Sequence, residues 1–407
     1  MKILNLHGFM GEADNKNYKA LCGIFPSEDI ISPKIDYKKT SPDKLLGQFA
    51  DMVDSDDFIF VGQSLGGWFA DKLSRRFKRP CILTNPCNYP HKLELITTSG
   101  MPHEFADIYR KLSASDENER AYTLCSDADT ILPDNYKDCV KLSGTVKRVH
   151  GSHSTIENVG VHIAEMLTEI ENDRLLLFLG RGSAFADEHN SAFFTEDNEL
   201  VLIDCPATSY QKVRKMDWEK YENIYILITH THGDHSGGTG TMLQYVWFAS
   251  YMKKKVTIVA PSEEVRDDLL LLLMRIEGCE AEWFNIVTAV ELNKPWLVSS
   301  VPTVHVKPLD GRCFGYHLKI HGKNVVYTGD TASLEPFGPL LEKDSYLYTE
   351  AAYYKSEVHM YLKEMLPEYK RLAESGVHVY LMHLDVESEI KKMIADTPLK
   401  LAMLYNS

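Results

Sequence analysis

The first 172 residues alternate short apolar runs with amphipathic stretches. Lys2–Leu6, Phe58–Gly62, Cys81–Thr84, Ala121–Cys125 and Val146–His150 have the length and composition of strands. Between them, Asn17–Ile24, Pro42–Val53, Leu65–Arg76 and Val159–Ile170 carry apolar residues at helical spacing. Strands that alternate with helices need crossover connections, so this half is predicted to be α/β with a mostly parallel sheet.

From Arg174 the pattern changes. LLLFLG, SAFFT and LVLID follow one another with short breaks, as hairpins do. Strand–helix alternation resumes with IYILITH, a helix through MLQYVWFASYM, VTIVAP and a helix over EEVRDDLLLLLMRIE. A second strand cluster, WLVSSVPTVHV, CFGYHLKIHG and NVVYTGD, precedes a helix around Glu364–Glu374 and the strands VHVYLMHL and LKLAMLY. Hairpins followed by helices, twice over, predict two sheets face to face with helices outside. The expected domains are 1–172 and 173–407. No Gly/Ser- or Pro-rich linker marks the junction near Asn172.

Composition narrows the function. A chain of 407 residues is long for one domain and right for two. A net charge of −14 speaks against a non-specific nucleic-acid binder, which needs a basic face to displace counterions. None of the eight cysteines forms a CxxC pair, and most lie in apolar runs, as buried thiols in a reducing compartment do. MKILNLHGF reads as a strand rather than a signal peptide, and no apolar run reaches the ~18 residues of a membrane helix. The expectation is a cytoplasmic protein with no membrane partner.

The densest chemistry is His230-Thr231-His232-Gly233-Asp234-His235, directly after the apolar run IYILIT. In extended chain, residues two apart point to the same side, so His230 and His232 can grip one ion. The turn at Gly233 swings Asp234 and His235 toward a second. Imidazole and carboxylate donors in so compact an array suit zinc, and manganese or iron as well.

This string resembles the HxHxDH signature of the metallo-β-lactamase superfamily, and the resemblance extends over 173–407. It implies an αββα fold and assigns further roles in order. His305 completes the first metal site, Asp330 bridges both, and His383 completes the second; Asp204 supports the ligand loop. The resemblance thus implies two divalent transition metal ions. Such ions about 3.5–4 Å apart share a water and lower its pKa toward ~7, which supplies a nucleophile for an ester or phosphodiester. LFLGRGSAF, HNSAFF, YTGDT and TEAAYYKSEVH look most like the branch of tRNase Z and related phosphodiesterases. In that branch Glu350 and His359 assist the reaction. Here His359 is followed by Met rather than Ser or Thr, and no long Gly- and Lys-rich insertion is present. With the acidic charge, this favours a small-molecule ester or phosphodiester over tRNA.

The N-terminal half carries Gly62-Gln63-Ser64-Leu65-Gly66-Gly67 between FIFV and WFADKLSRRF. This is the G-x-S-x-G nucleophile elbow in strand–turn–helix context. Ser64 is the candidate nucleophile, with the N–H groups of Leu65 and Phe9 as oxyanion donors. Asp129 fits the acid, with Asp127 as alternative; His153 fits the base, with His150 as rival. HGFMG, SPKIDYKK, VGQSLGGWFA and LTNPCNYP resemble the small α/β hydrolases of the YqiA-like (UPF0227) esterase family over 1–170. That resemblance implies a serine esterase or thioesterase for short or accessible acyl groups. The expected function is a bifunctional hydrolase. Two alternatives stand beside it: one active metallohydrolase for a lactone, thioester or other ester, with a non-catalytic N-terminal half used for binding or assembly, and a non-enzymatic ligand sensor.

Overall fold

The computed structural model describes residues 1–54, 58–98 and 100–405, and all structural statements concern these. They divide into two compact units, Met1–Asn172 and Asp173–Ser407.

In the first unit the strands are β1 (Lys2–Leu6), β2 (Ile30–Ile31), β3 (Phe58–Gln63), β4 (Cys81–Thr84), β5 (Asn118–Ser126) and β6 (Ser143–Val149). They form one sheet in the order β2-β1-β3-β4-β5-β6, with every pairing parallel. The two-residue period of a strand divides the core. Phe58 and Phe60 pack on one face with Trp68, Phe69 and Tyr109. Ile59 and Val61 pack on the other with Ile163, Met166 and Ile170. A small hairpin, β7 (Gly151–Ser152) with β8 (Thr155–Ile156), follows β6. The sequence pattern missed this hairpin, β2 and the helices His103–Leu112 and Asn135–Leu142. Two-residue strands are too short to show a period, and each helix buries few apolar positions, Phe105 and Tyr109 in one and Cys139 and Leu142 in the other.

In the second unit one sheet runs β14-β13-β12-β11-β10-β9 and another β15-β16-β17-β18-β19-β20. The first comprises β9 (Leu177–Gly180), β10 (Ser191–Glu196), β11 (Glu199–Ile203), β12 (Asn223–Leu227), β13 (Val256–Ala260) and β14 (Phe284–Thr288). The second comprises β15 (Leu297–Pro302), β16 (Phe314–Ile320), β17 (Lys323–Tyr327), β18 (Tyr346–Glu350), β19 (His378–Met382) and β20 (Lys400–Leu401). Each sheet begins as an antiparallel meander and continues in parallel strands. Val201, Ile203, Tyr225 and Leu227 of one sheet meet Tyr316, Tyr327, Tyr348 and Tyr380 of the other between the layers. The alternate residues Leu200, Leu202 and Ile226 face Met242, Leu243 and Val246 of the helix Thr239–Ala249. On the other side Leu347, Val379 and Leu381 face Leu362, Tyr369 and Leu372 of the helix Leu362–Glu374.

The first unit therefore has the α/β-hydrolase fold, and the second the αββα metallo-β-lactamase fold. Strand β15 stops at Pro302, so His305 lies in the loop beyond it rather than in the longer strand read from WLVSSVPTVHV. β14 and β18 were absent from the sequence reading, as was the helix Glu387–Ile394. No helix among the described residues is long and apolar enough to cross a membrane.

Candidate functional site

The chemistry of the second unit gathers where parallel strands end. Asp204 follows β11, His230 lies three residues past β12, Asp330 three past β17, and His383 directly after β19. Glu350 is the last residue of β18, in register with Met382. Glycine is required just before Asp330: a Cβ at Gly329, where φ is +60°, would lie 2.5 Å from the Phe314 carbonyl oxygen.

Four overlapping donor groups result among the described residues, two of which include His359: His305, Asp330 and His359, and Glu350, His359 and His383. The other two hold the residues expected as ligands. His230, His232 and His305 form one; Asp234, His235, Asp330 and His383 form the other. Asp330 touches both, with Oδ1 3.3 Å from His235 Nε2 and Oδ2 3.3 Å from His383 Nε2 and 3.7 Å from His305 Nε2. His230 Nε2 and His232 Nδ1 face each other at 2.9 Å. Neutral imidazole and carboxylate are the donors zinc takes.

These residues fit metal on two observations. Three buried atoms, His235 Nε2, His383 Nε2 and Asp330 Oδ1, have no hydrogen-bond partner although all point into the cluster. Buried polar atoms are otherwise almost always satisfied. The cluster also crowds carboxylates against imidazoles. Burial opposes charge on His383, yet Asp330, Asp234 and Glu350 outweigh it and lift its pKa to about 10. His235 is raised well above its ordinary value in the same way, against burial, by Asp330, Asp204 and Asp234. Burial, reinforced by His235, instead holds His230 well below its ordinary value. A bound cation would take the place of the protons that these carboxylates attract.

Outer contacts hold His235 and His305. Asp204 is fully buried, and His235 Nδ1 lies 2.8 Å from its Oδ2. Its Oδ1 accepts the Thr229 N–H at 2.8 Å. His305 Nδ1 donates to the Val358 carbonyl at 2.9 Å. Such contacts select the ring nitrogen left free for a ligand role. Asn190, which sequence reasoning missed, accepts the His383 N–H at 3.3 Å and donates to the Tyr327 hydroxyl at 2.6 Å. The string HNSAFF contained it but offered no spacing that singled it out. His359 lies in the loop before the helix Leu362–Glu374. Its ring centroid is 4.9 Å from that of His305 and 5.2 Å from that of His383, over both donor groups.

In the first unit Ser64 sits between β3 and the helix Leu65–Phe77, with φ of 51°. That left-handed conformation is strained for serine and makes the turn sharp. Only glycine fits two residues on, since a Cβ at Gly66 would lie 2.1 Å from the Leu6 carbonyl oxygen. The loop after β1 passes directly over Ser64: a Cβ at Gly8 would come within 3.0 Å of Ser64 Cβ. This brings Phe9, the next residue, close to the nucleophile, while Leu65 opens the helix.

His153 Nε2 is 2.9 Å from Ser64 Oγ, and its Nδ1 is 2.8 Å from Asp129 Oδ2. Asp129 Oδ1 accepts the N–H groups of Ile131 and Leu132 at 3.0 and 2.9 Å. Burial pushes the Asp129 pKa up, but these bonds and His153 outweigh it and the net shift is downward. The rival residues form a pair of their own. His150 Nδ1 lies 2.5 Å from Asp127 Oδ2, but the His150 side chain is 85% exposed against 10% for His153. Of the two histidines, His153 is the one placed against Ser64.

Residues 2–114 match the uncharacterised protein family UPF0227. In the other half, the chain is 27% identical over 229 residues to the anti-Pycsar protein Apyc1 of Bacillus phage 010DV004, covering 51% of this chain and 88% of that one. It is 33% identical over 94 residues to the ribonuclease Z of Methanococcus maripaludis, covering 22% of this chain and 30% of that one. Among solved structures, the metallo-β-lactamase fold protein YhfI of Bacillus subtilis superposes with a TM-score of 0.46 at 17% identity, covering 56% of this chain and 95% of that one. The model of the family described as anti-Pycsar protein Apyc1 matches residues 175–398, more than half of the chain, and the chain belongs to that family.

Proposed function

We propose that the chain is a bifunctional hydrolase. Residues 173–407 form a metal-dependent phosphodiesterase, and residues 1–172 a serine esterase or thioesterase. The observation that carries the first reading is the carboxylate of Asp330, whose Oδ1 lies near His235 and whose Oδ2 lies near both His383 and His305. Two divalent ions, zinc or else manganese or iron, would be held by His230, His232 and His305 and by Asp234, His235 and His383, with Asp330 between them. When bound, such a pair supplies a Lewis acid and an acidified water.

The chain's own residues then do the rest. Asp204 and Asn190 hold His235 and His383 in orientation. Glu350 holds His359 over the cluster, where it delivers a proton to the departing oxygen. That step suits a phosphodiester with an alkoxide leaving group. The name ribonuclease Z on one relative fits the diester class and keeps RNA among the substrates to test, against the expectation drawn from charge.

In residues 1–172 Ser64 attacks an acyl carbon while His153 takes its proton; the ester C–O or thioester C–S bond breaks, His153 gives that proton to the departing oxygen or sulfur, and water then releases the acyl group by the same route, with Asp129 holding the imidazole. Leu65 and Phe9 supply the oxyanion donors. The free state of all eight cysteines fits a cytoplasmic protein.

The test measures metal content together with turnover of bis(p-nitrophenyl) phosphate, single-stranded RNA and p-nitrophenyl acetate. Chelator should abolish diester cleavage and spare acetate cleavage, whereas Ser64→Ala should do the reverse. Lactone or thioester turnover at the metal site, with no diester cleaved, would defeat the phosphodiesterase reading.

A further inference from the structure

Asn85 follows β4, is 1% exposed, and has a φ of 45° that asparagine tolerates better than most residues. Its Oδ1 accepts the Ser126 N–H at 2.7 Å. An acceptor on that side fixes the amide's orientation and turns Nδ2 toward the opposite wall. There Nδ2 donates to Ser126 Oγ at 2.7 Å, to the His153 carbonyl at 3.0 Å and to the Ser152 carbonyl at 3.1 Å. Ser126 Oγ in turn donates to the Ser152 carbonyl at 2.9 Å.

Those two carbonyls belong to the β7–β8 hairpin, in which Ser152 pairs with Thr155 and His153 sits at the tip. An isolated two-stranded hairpin is marginal in water, and this one has only two residues in each strand. Its position must come from outside. Asp127 Oδ1 holds the base of the hairpin through the Gly151 N–H at 3.2 Å. At the tip, the Asn85 amide grips the backbone of His153 itself.

We infer that Asn85 is the positioning residue for His153. It ties the ends of β4 and β5 to the hairpin tip, and so sets the imidazole between Ser64 and Asp129. This rests on the reading of Ser64 as nucleophile. The amide is needed because one side of it must accept and the other must donate. A carboxylate of the same shape keeps the bond from Ser126 N–H and turns a repelling oxygen on the carbonyls of Ser152 and His153. A displacement of the base by about 1 Å costs on the order of 10²-fold in rate.

The experiment compares wild type, Asn85→Asp and Ser126→Ala in the full chain. It reads the rate of fluorophosphonate labelling at Ser64, kcat and KM on p-nitrophenyl acetate, and the downfield proton of the His153–Asp129 hydrogen bond. Asn85→Asp should label about a hundredfold more slowly, lose kcat with little change in KM, and lose or shift the downfield resonance while unfolding cooperatively. Ser126→Ala, which keeps the Asn85 bonds to the hairpin, should slow labelling several-fold. A folded Asn85→Asp that labels at the wild-type rate would overturn the proposal. If that variant does not fold, Asn85→Gly, which tolerates the φ of 45° and removes the amide, is read in its place, and a wild-type labelling rate in it would overturn the proposal. A wild-type chain that is not labelled at Ser64 would overturn the serine reading, and this inference with it. A labelled wild type beside unaffected variants would overturn this inference alone.

Discussion

His359 Nδ1 lies 2.6 Å from Oε2 of the fully buried Glu350, nine residues back along the chain. The other carboxylate oxygen, Oε1, accepts the Thr331 N–H at 2.6 Å, one residue from Asp330. Oε2 also lies 3.6 Å from His383 Nδ1. Glu350 is thus tied at once to the loop of the central carboxylate, to a candidate ligand and to His359.

The first prediction concerns His359. A diester whose leaving group is a poor alkoxide needs a proton in the transition state, whereas a nitrophenolate departs without one. His359→Ala should lower kcat on a methyl-ester diester by roughly 10²–10⁴ and affect bis(p-nitrophenyl) phosphate much less. Metal content, read by elemental analysis, should be unchanged. Equal losses on both substrates would remove the acid role.

A second prediction follows from the placement of Asp330. The purified chain should carry about two transition metal ions. Asp330→Ala removes the carboxylate shared by the two donor groups, so bound metal should fall and diester turnover with it. Asp204→Asn should weaken metal binding about 10–100-fold, as loss of an orienting partner does. Full occupancy in Asp330→Ala would refute the shared role.

Much of this was legible in the sequence because the donors lie at strand ends that the apolar runs announce. IYILIT announces the strand that ends before His230, whereas Asp330 after VVYTG stood out only through the resemblance that set the donors in order. The nucleophile elbow was legible for the same reason. The choice between Asp127 and Asp129 was not. Both follow β5, and both lie beside a histidine in the folded chain. Only the reach of His153 to Ser64 separates them. Asn85 and Asn190 were illegible as supports, because each acts on a backbone group far away in sequence: 68 residues for Asn85 to His153, and 193 for Asn190 to His383. Arg181, buried and donating to the Ala402 carbonyl 221 residues away, is a third instance.

A third prediction concerns acid. His7 is buried beside the loop over Ser64, and its Nε2 accepts the Ile35 N–H at 3.0 Å. Burial lowers its pKa below 6.5, although a backbone bond to Gly8 opposes the shift. The unfolded chain therefore binds a proton that the folded chain resists. This contribution is fully present above pH ~6.5 and is lost as pH falls toward the folded pKa, by about 1.4 kcal/mol for each unit between the two. Hydrogen exchange in peptides from β1 and β3 should quicken between pH 7.5 and pH 5, after correction for intrinsic rates. In His7→Gln that pH dependence should flatten, although the variant is less stable throughout. An equal slope in both proteins would refute the assignment.

The last prediction separates the two His–Asp pairs of the N-terminal unit. His153 bonds both Ser64 and Asp129, whereas His150 bonds Asp127 and is mostly exposed. A serine hydroxyl is a weak nucleophile until a neighbouring base takes its proton, so the histidine touching it governs acylation. His153→Ala should abolish fluorophosphonate labelling, as should Ser64→Ala, and both should leave metal-dependent diester cleavage at the wild-type rate. Asp129→Asn should be severe as well, because it removes the acceptor that orients the imidazole; the same change in a serine protease costs about 10⁴. His150→Ala should lower labelling only a few-fold, because Asp127 still accepts the Gly151 N–H and holds the hairpin base. If His150→Ala abolishes labelling and His153→Ala does not, the base has been misassigned. If neither matters while Ser64→Ala does, Ser64 acts without an imidazole base, and the triad reading fails although the nucleophile stands.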